Sequence, residues 1–204
     1  MRAYLKKSLY MLPALLVLSL GISLTVMSSL GSDCLTSFQQ GIGRILNVQV
    51  GTVMTVFNLV LLAIFVFVER KYIGIGSILI GFCLGGMVNV FNGLLSSVSL
   101  NNMAVKIMVD IMGIILVAIA LSWYIPLNVG LQPLDMLKQW IAKVSGQTYG
   151  ISTYILSFIF LCGAFLTGGD IGIGTILNLL LVGKLCDIFM SLFKPVHEKI
   201  NQSD

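Results

Sequence analysis

The sequence predicts an all-α membrane protein, and three observations support this prediction. Of its 204 residues, 57% are hydrophobic and only 10% are charged, whereas roughly a quarter of the residues in a soluble domain are charged. Stretches without any charged residue exceed the ~20 residues that a helix needs to cross a hydrocarbon core. A similar string also occurs twice, as IGIGSIL from Ile73 and IGIGTIL from Ile171, 98 positions apart. The uncharged stretches cover residues 8–32, 45–68, 72–105, 111–134 and 144–169.

We predict six membrane-spanning helices in one domain over residues 1–204. Lipid offers no hydrogen-bond partner to the backbone, so helices are the expected spanning form. The sixth helix carries Lys184 and Asp187 and is still long enough to cross. The first could instead be a signal peptide, but its apolar run is long and no clear small-residue cleavage site follows it. The predicted helices cover about residues 8–27, 51–68, 76–93, 104–124, 150–166 and 172–192.

The basic residues predict that both termini are cytoplasmic. With the N-terminus inside, only Arg44 and Lys106 fall on the outer side, and the other basic residues collect on the cytoplasmic side, as the positive-inside rule requires. The formal net charge is only +4, so nothing indicates a nucleic-acid partner. The cytoplasmic set is Arg2, Lys6, Lys7, Arg70, Lys71, Lys138, Lys143, Lys184, Lys194 and Lys199.

The two similar strings belong to a longer internal repeat. Gly85 aligns with Gly183 at the same offset, and Gly51 aligns with Gly150 at an offset one residue larger. Chance similarity between apolar segments is the alternative, although aligned glycines and a shared order of elements argue against it. Three crossings in each half put the start of the second half on the opposite face, which predicts an inverted-topology repeat with a substrate path between the halves. Repeat 1 covers about residues 8–93, and repeat 2 about residues 104–192.

Each half contains an insert between its first and second crossing, at residues 31–46 and 130–144. In the second insert, apolar residues recur at helical spacing opposite basic and amide residues. This pattern predicts an extra helix that lies at the interface or re-enters the membrane. Two such helices could act as gates on the two faces, or could only anchor the bundle.

The second half also carries the motifs G-x-x-P-x-D and G-I-G-T. In their order, after a basic start, the chain resembles the bacterial YczE/YitT-like multi-pass membrane proteins. The first half departs from the pattern, because Cys34 and Thr36 stand where the proline and the aspartate are expected. The resemblance implies a multi-pass protein of the bacterial inner membrane and, since the family lacks an established activity, no particular reaction. The motif residues are Gly130, Pro133, Asp135, Gly172, Ile173, Gly174 and Thr175.

Ionisable and amide side chains at membrane depth are costly, so each is a candidate for a substrate or ion path. Asp110 is the strongest candidate, either as a proton- or cation-coupling group or as the partner of Lys106, four residues earlier. Asp187 follows Lys184 by one turn, and both can reach water. The asparagines either form hydrogen bonds between helices or contact substrate. They are Asn58, Asn89 and Asn178.

Glycines open the third and sixth predicted helices. Exposed N–H groups at a helix start can receive an anion, whereas the missing side chains equally allow close packing, and both alternatives stay open. The four glycines are Gly74, Gly76, Gly172 and Gly174.

The sequence favours a small-solute transporter. It contains no recognisable catalytic motif and no metal-ligand spacing, and its single histidine, His197, lies in the charged tail. We therefore expect no enzyme activity, no cofactor and no metal. The alternative is a membrane scaffold or regulatory subunit of another complex. Expected partners are the lipid bilayer, a small-molecule solute, and a membrane or energising partner protein.

Overall fold

The computed structural model describes residues 2–127 and 129–202, and the side chains of residues 10–127, 129–196 and 198. Within these ranges the chain forms eight α-helices and no strand. Side chains of Arg2, Lys6, Lys7, His197 and Lys199, which entered the arguments on charge and metal binding, lie outside the described side chains. The helices are α1 (Arg2–Ser28), α2 (Cys34–Leu46), α3 (Val50–Val68), α4 (Ile75–Leu95), α5 (Met103–Tyr124), α6 (Pro133–Ser145), α7 (Tyr149–Thr167) and α8 (Ile173–Gln202).

Six helices of the described part are long and apolar enough to cross a membrane, which confirms the predicted number. They are α1, α3, α4, α5, α7 and α8. Two of them extend further than predicted: α1 begins at Arg2 rather than near residue 8, and α8 ends at Gln202 rather than near residue 192. The predictions ended each helix where the apolar run stopped. Lysine, glutamate and glutamine continue a helix about as well as leucine does, and α8 also runs on through Pro195, which gives up one backbone hydrogen bond.

Both inserts form helices, as predicted. Each has 13 residues, so at 1.5 Å per residue it is about 20 Å long and too short to cross a bilayer. α2 packs between α3 and α7, whereas α6 packs mainly against α7 and α3. The Asp33 carboxylate caps α2 by accepting a hydrogen bond from the Thr36 N–H, 3.1 Å away, and Pro133 occupies the first turn of α6, where its missing N–H costs nothing.

Close contacts between glycines hold the spanning helices together. α1 crosses α5 at Gly21 and Gly113, where a Cβ on Gly21 would lie 2.9 Å from the Gly113 carbonyl oxygen. α3 crosses α4 at Gly51 and Gly85, again backbone against backbone. Such contacts between small residues let helix backbones approach each other and are a common form of packing in membranes.

The repeated glycine strings dock the starts of α4 and α8 onto the segments before the short helices. The Gly76 N–H donates a 2.9 Å hydrogen bond to the Val129 carbonyl, just before α6. The Gly174 N–H donates a hydrogen bond of the same length to the Leu30 carbonyl, just before α2. A helix start from each half therefore binds the segment before the short helix of the other half.

Candidate solute-binding cavity

A cavity of about 300 Å³ lies at the centre of the bundle, and all eight helices contribute to its walls. Part of the lining is apolar, with Leu18, Ile22 and Leu84 among its residues. The rest of the lining is polar. Its polar lining residues are Thr25, Asp33, Thr36, Gln39, Asn58, Gln132, Asp135, Lys138, Tyr149 and Asn178.

The first turns of both short helices line this one cavity. Thr36 belongs to the first turn of α2, and Asp135 to the first turn of α6. A helix N-terminus carries roughly half a positive charge, so two partial positive charges are directed toward the cavity. Paired half-helices whose ends meet at a central site are typical of the binding sites of transporters built from repeats.

Charged groups of both signs also line the cavity. The Lys138 Nζ lies 2.8 Å from the Asp135 Oδ1, and the Tyr149 hydroxyl donates a 3.0 Å hydrogen bond to the same oxygen. The Lys138 ammonium lies 5.9 Å from the centre of the Tyr149 ring, within the range of a cation–π contact. Asp33 has no cationic partner among the described residues. The cavity can therefore offer both an acceptor and donors to a polar solute.

A second cleft, of about 450 Å³, extends from this cavity between α7 and α8. Asp33, Lys138, Tyr149 and Asn178 line both spaces, so the two spaces share one polar end. Away from that end the cleft is lined mostly by α7 and α8.

Asp110, the strongest candidate from the sequence, lies outside both spaces. Its side chain is fully buried, and its Oδ1 lies 3.1 Å from the Ser28 hydroxyl. Its other oxygen has no hydrogen-bond partner among the described residues, and the carboxylate packs against the start of α8, at Gly174. No ion pair of the described residues joins it to Lys106, which was one of the two alternatives for Asp110. Lys106 instead lies half-buried near the start of α5.

The predicted asparagines divide between the cavity and the packing of helices. Asn58 and Asn178 are buried and line the cavity. Asn89 does not reach it: its amide oxygen accepts a 2.8 Å hydrogen bond from the Gly51 N–H, and its nitrogen donates to the Thr52 hydroxyl. Asp187 is exposed on α8, away from the cavity.

The helix-opening glycines contribute packing. The N–H groups of Gly76 and Gly174 bind carbonyls, as described above, while the N–H of Gly74 donates to the Ser77 hydroxyl and that of Gly172 to the Thr175 hydroxyl. These donors are used within the protein, which favours the packing alternative over anion binding. In the G-x-x-P-x-D motif, Gly130 adopts a φ of +125° that a side chain would strain, Pro133 starts α6 and Asp135 reaches the cavity.

Ion pairs fasten the far ends of the short helices to turns of the opposite half. Arg44, near the end of α2, lies 2.7 Å from the Asp170 carboxylate and donates to the Gly168 carbonyl. Lys143, near the end of α6, lies 2.8 Å from the Glu69 carboxylate. Hydrogen bonds from Lys143, and then from Lys71, lower the pKa of Glu69. Arg44 and Glu69 flank opposite ends of α3, so these two fastenings lie at opposite ends of the bundle.

Sequence reasoning missed several of the polar residues that line the cavity. The sequence pattern puts Lys138 on the polar side of the second insert and gives no role to Asp33 or Tyr149, yet all three line the cavity. A signal for Asp33 did exist, because aspartate is one of the residues preferred at a helix N-cap. The repeat alignment supplies a second signal, since it places Asp33 opposite Gln132 and Thr36 opposite Asp135.

The six long apolar helices define the class of this chain: it is a multi-pass α-helical membrane protein that lies in a lipid bilayer. The model of a family of unknown function (DUF6198) matches residues 5–191, and the chain belongs to this family.

Two relatives come from Bacillus subtilis (strain 168). The uncharacterized protein YyaS is 27% identical over 187 residues, which cover 91% of this chain and 93% of YyaS. The uncharacterized membrane protein YczE is 25% identical over 170 residues, which cover 83% of this chain and 78% of YczE. The resemblance to YczE-like proteins is thereby confirmed. No solved structure matches the chain.

Proposed function

We propose that this protein is a small-solute transporter of the bacterial inner membrane, with both termini in the cytoplasm. One observation carries the proposal: every helix contributes to a single polar cavity of about 300 Å³ inside an otherwise apolar bundle. Small-molecule sites have volumes from about 300 Å³ upward and place a few polar groups in a largely apolar pocket. A polar cavity at the centre of a membrane bundle is costly unless a polar ligand or water occupies it.

The proposal includes the inverted repeat. Its support is the reciprocal docking of the two halves, in which Gly76 binds Val129 and Gly174 binds Leu30 with hydrogen bonds of equal length. Both pairs keep the offsets of the sequence repeat. In transporters with such symmetry, the substrate site lies between the halves, and access alternates when one half moves against the other.

The short helices are the proposed gates. The ion pair of Arg44 with Asp170 fastens α2 at one end of the bundle, and that of Lys143 with Glu69 fastens α6 at the other. Ion pairs at the protein surface contribute little stability, because water and salt screen them. Breaking one pair would therefore remove one attachment of its short helix at a small cost, while the packing against α3 and α7 remains. The proposed transport involves no chemical step, so we propose no enzyme activity for the chain. A partner protein that supplies energy is compatible with the proposal.

Cysteine accessibility tests the proposal. In a background without the native cysteines, Asn58→Cys and Asn178→Cys should react with a membrane-impermeant, positively charged thiosulfonate reagent. A cysteine at Ala118, which is buried outside the cavity, is the matched control and should stay unreacted. If neither cavity position reacts, the cavity is closed to water. The scaffold or regulatory subunit then becomes the better explanation.

A further inference from the structure

The two halves differ at the boundary between their last two spanning helices, which we call a seam. It lies between α3 and α4 in the first half and between α7 and α8 in the second. In the first half, Gly51 and Gly85 bring α3 and α4 into backbone contact. The repeat alignment gives Gly150 and Gly183 as their equivalents on α7 and α8. These two glycines line the second cleft instead, and a Cβ added to Gly183 would meet nothing within 4 Å. The α7–α8 seam is therefore open where its counterpart is shut.

The open seam joins an apolar channel to a polar end. Phe160, Leu179 and Val182 are among the apolar residues along it, and the exposed Tyr154 also lines it. Because α7 and α8 are both membrane-spanning, the seam opens sideways, where lipid chains lie. Its inner end is the polar region around Asp33 and Lys138 that it shares with the central cavity.

The charges at that inner end sum to nearly zero. Asp33 and Asp135 contribute two negative charges and Lys138 one positive charge, while the first turns of α2 and α6 add roughly half a positive charge each. A ligand without net charge therefore fits best. Asp33 has no ion-pair partner among the described residues and can bind an ammonium group. Lys138 uses one N–H on Asp135 and has further donors for an acidic group.

We propose that the seam between α7 and α8 binds a zwitterionic amphiphile. Its ammonium group contacts Asp33, its acidic group contacts Lys138, and its hydrocarbon chain lies between the two helices. This inference rests on the proposed function and names the substrate class of the same site. The ligand reaches the cavity sideways from the membrane, and closure of Gly150 onto Gly183, as at Gly51 and Gly85, would expel its chain.

Native mass spectrometry of the full chain in maltoside micelles tests this site, with lysophosphatidylethanolamine as the probe. Glycerophosphoethanolamine has the same head without the chain, and lysophosphatidylglycerol has the same chain with an anionic head. We expect the zwitterionic lysolipid to bind at least tenfold more tightly than either. If dodecyltrimethylammonium binds as tightly as lysophosphatidylethanolamine, the site recognises only a cation, and the proposal is overturned.

Two variants locate the binding. Asp33→Asn keeps a good N-cap for α2 but removes the charge, and Gly183→Leu fills the seam at a position with open space. Each substitution should weaken the binding of lysophosphatidylethanolamine at least tenfold. Gly183→Leu should leave the binding of glycerophosphoethanolamine unchanged. Gly86→Leu, at an equally open position on α4, is the control. Equal binding by all variants, or no binding by the wild type, refutes this inference. Reactive cysteines at Asn58 and Asn178 would in that case leave the proposed transport function standing.

Discussion

The contrast between the two seams yields a matched pair of substitutions, Gly85→Ala and Gly183→Ala. At Gly85 the new methyl group would overlap the Gly51 carbonyl oxygen and lie 2.9 Å from the Thr55 backbone nitrogen. Both are backbone atoms, so the helices must separate, and overpacking of this kind costs about 1–3 kcal/mol. At Gly183 the methyl group enters open space. The helix propensity of alanine over glycine, up to about 1 kcal/mol, then remains as a gain.

Thermal unfolding in detergent, followed by size-exclusion chromatography of the heated protein, measures the difference. For a chain of this size, 1 kcal/mol corresponds to roughly 2–4 °C. The propensity gain of alanine applies at Gly85 as well, so Gly85→Ala should lower the midpoint by up to about 12 °C, while Gly183→Ala should leave it unchanged or raise it slightly. If both substitutions lowered the unfolding midpoint equally, α7 and α8 would have to touch as closely as α3 and α4. The open seam, and the site inferred in it, would then be refuted.

Three further predictions concern charged and reactive groups. Asp110→Asn should not lower the unfolding midpoint at pH 7, because the amide keeps the contact with Ser28 while a buried carboxylate with one unpartnered oxygen is removed; a fall of several degrees would contradict this. The ion pair of Lys143 with Glu69, which fastens α6, should weaken as Glu69 becomes protonated. This loss begins as the pH falls below 4.5, the ordinary pKa of glutamate, and continues through the lowered pKa of Glu69 in the folded protein. Spin-label distances between α6 and the turn after α3 should widen in that range, and in Lys143→Met they should already be wide at pH 7. Finally, burial and then the charge of Asp33 raise the pKa of the Cys34 thiol above 9.0, so Cys34 should react with iodoacetamide slowly at pH 7 and faster as the pH rises. A rate independent of pH would contradict this.

The spanning helices could be predicted because the signal for them is strong and local. Uncharged runs longer than a bilayer thickness admit few other structures, and the repeat placed the short helices α2 and α6 correctly in order. The exact ends were harder, since α8 continues after residue 192 through Pro195, a residue type that usually kinks or ends a helix.

The cavity could not be predicted in the same way. The spanning helices are apolar on nearly every face, so their sequences do not show which face points inward. Asp110 illustrates the difficulty: its depth marked it as functional, yet the docking of Gly174 onto Leu30 buries it outside the cavity. Six of the ten polar lining residues lie at the N-caps or in the first two turns of the short helices, and only the tertiary fold brings Asp33 and Lys138 to the same space.

The central claim, that the cavity carries solute across the membrane, is tested most directly by labelling one cysteine from each face in turn. Asn178→Cys, in right-side-out and in inside-out vesicles, should react with the impermeant thiosulfonate reagent from both sides. The account predicts that Arg44→Ala speeds the reaction from one face and Lys143→Ala from the other, because each removes one fastening of a short helix. Reaction from a single face in all three proteins would contradict transport and leave a pocket that opens to one side only.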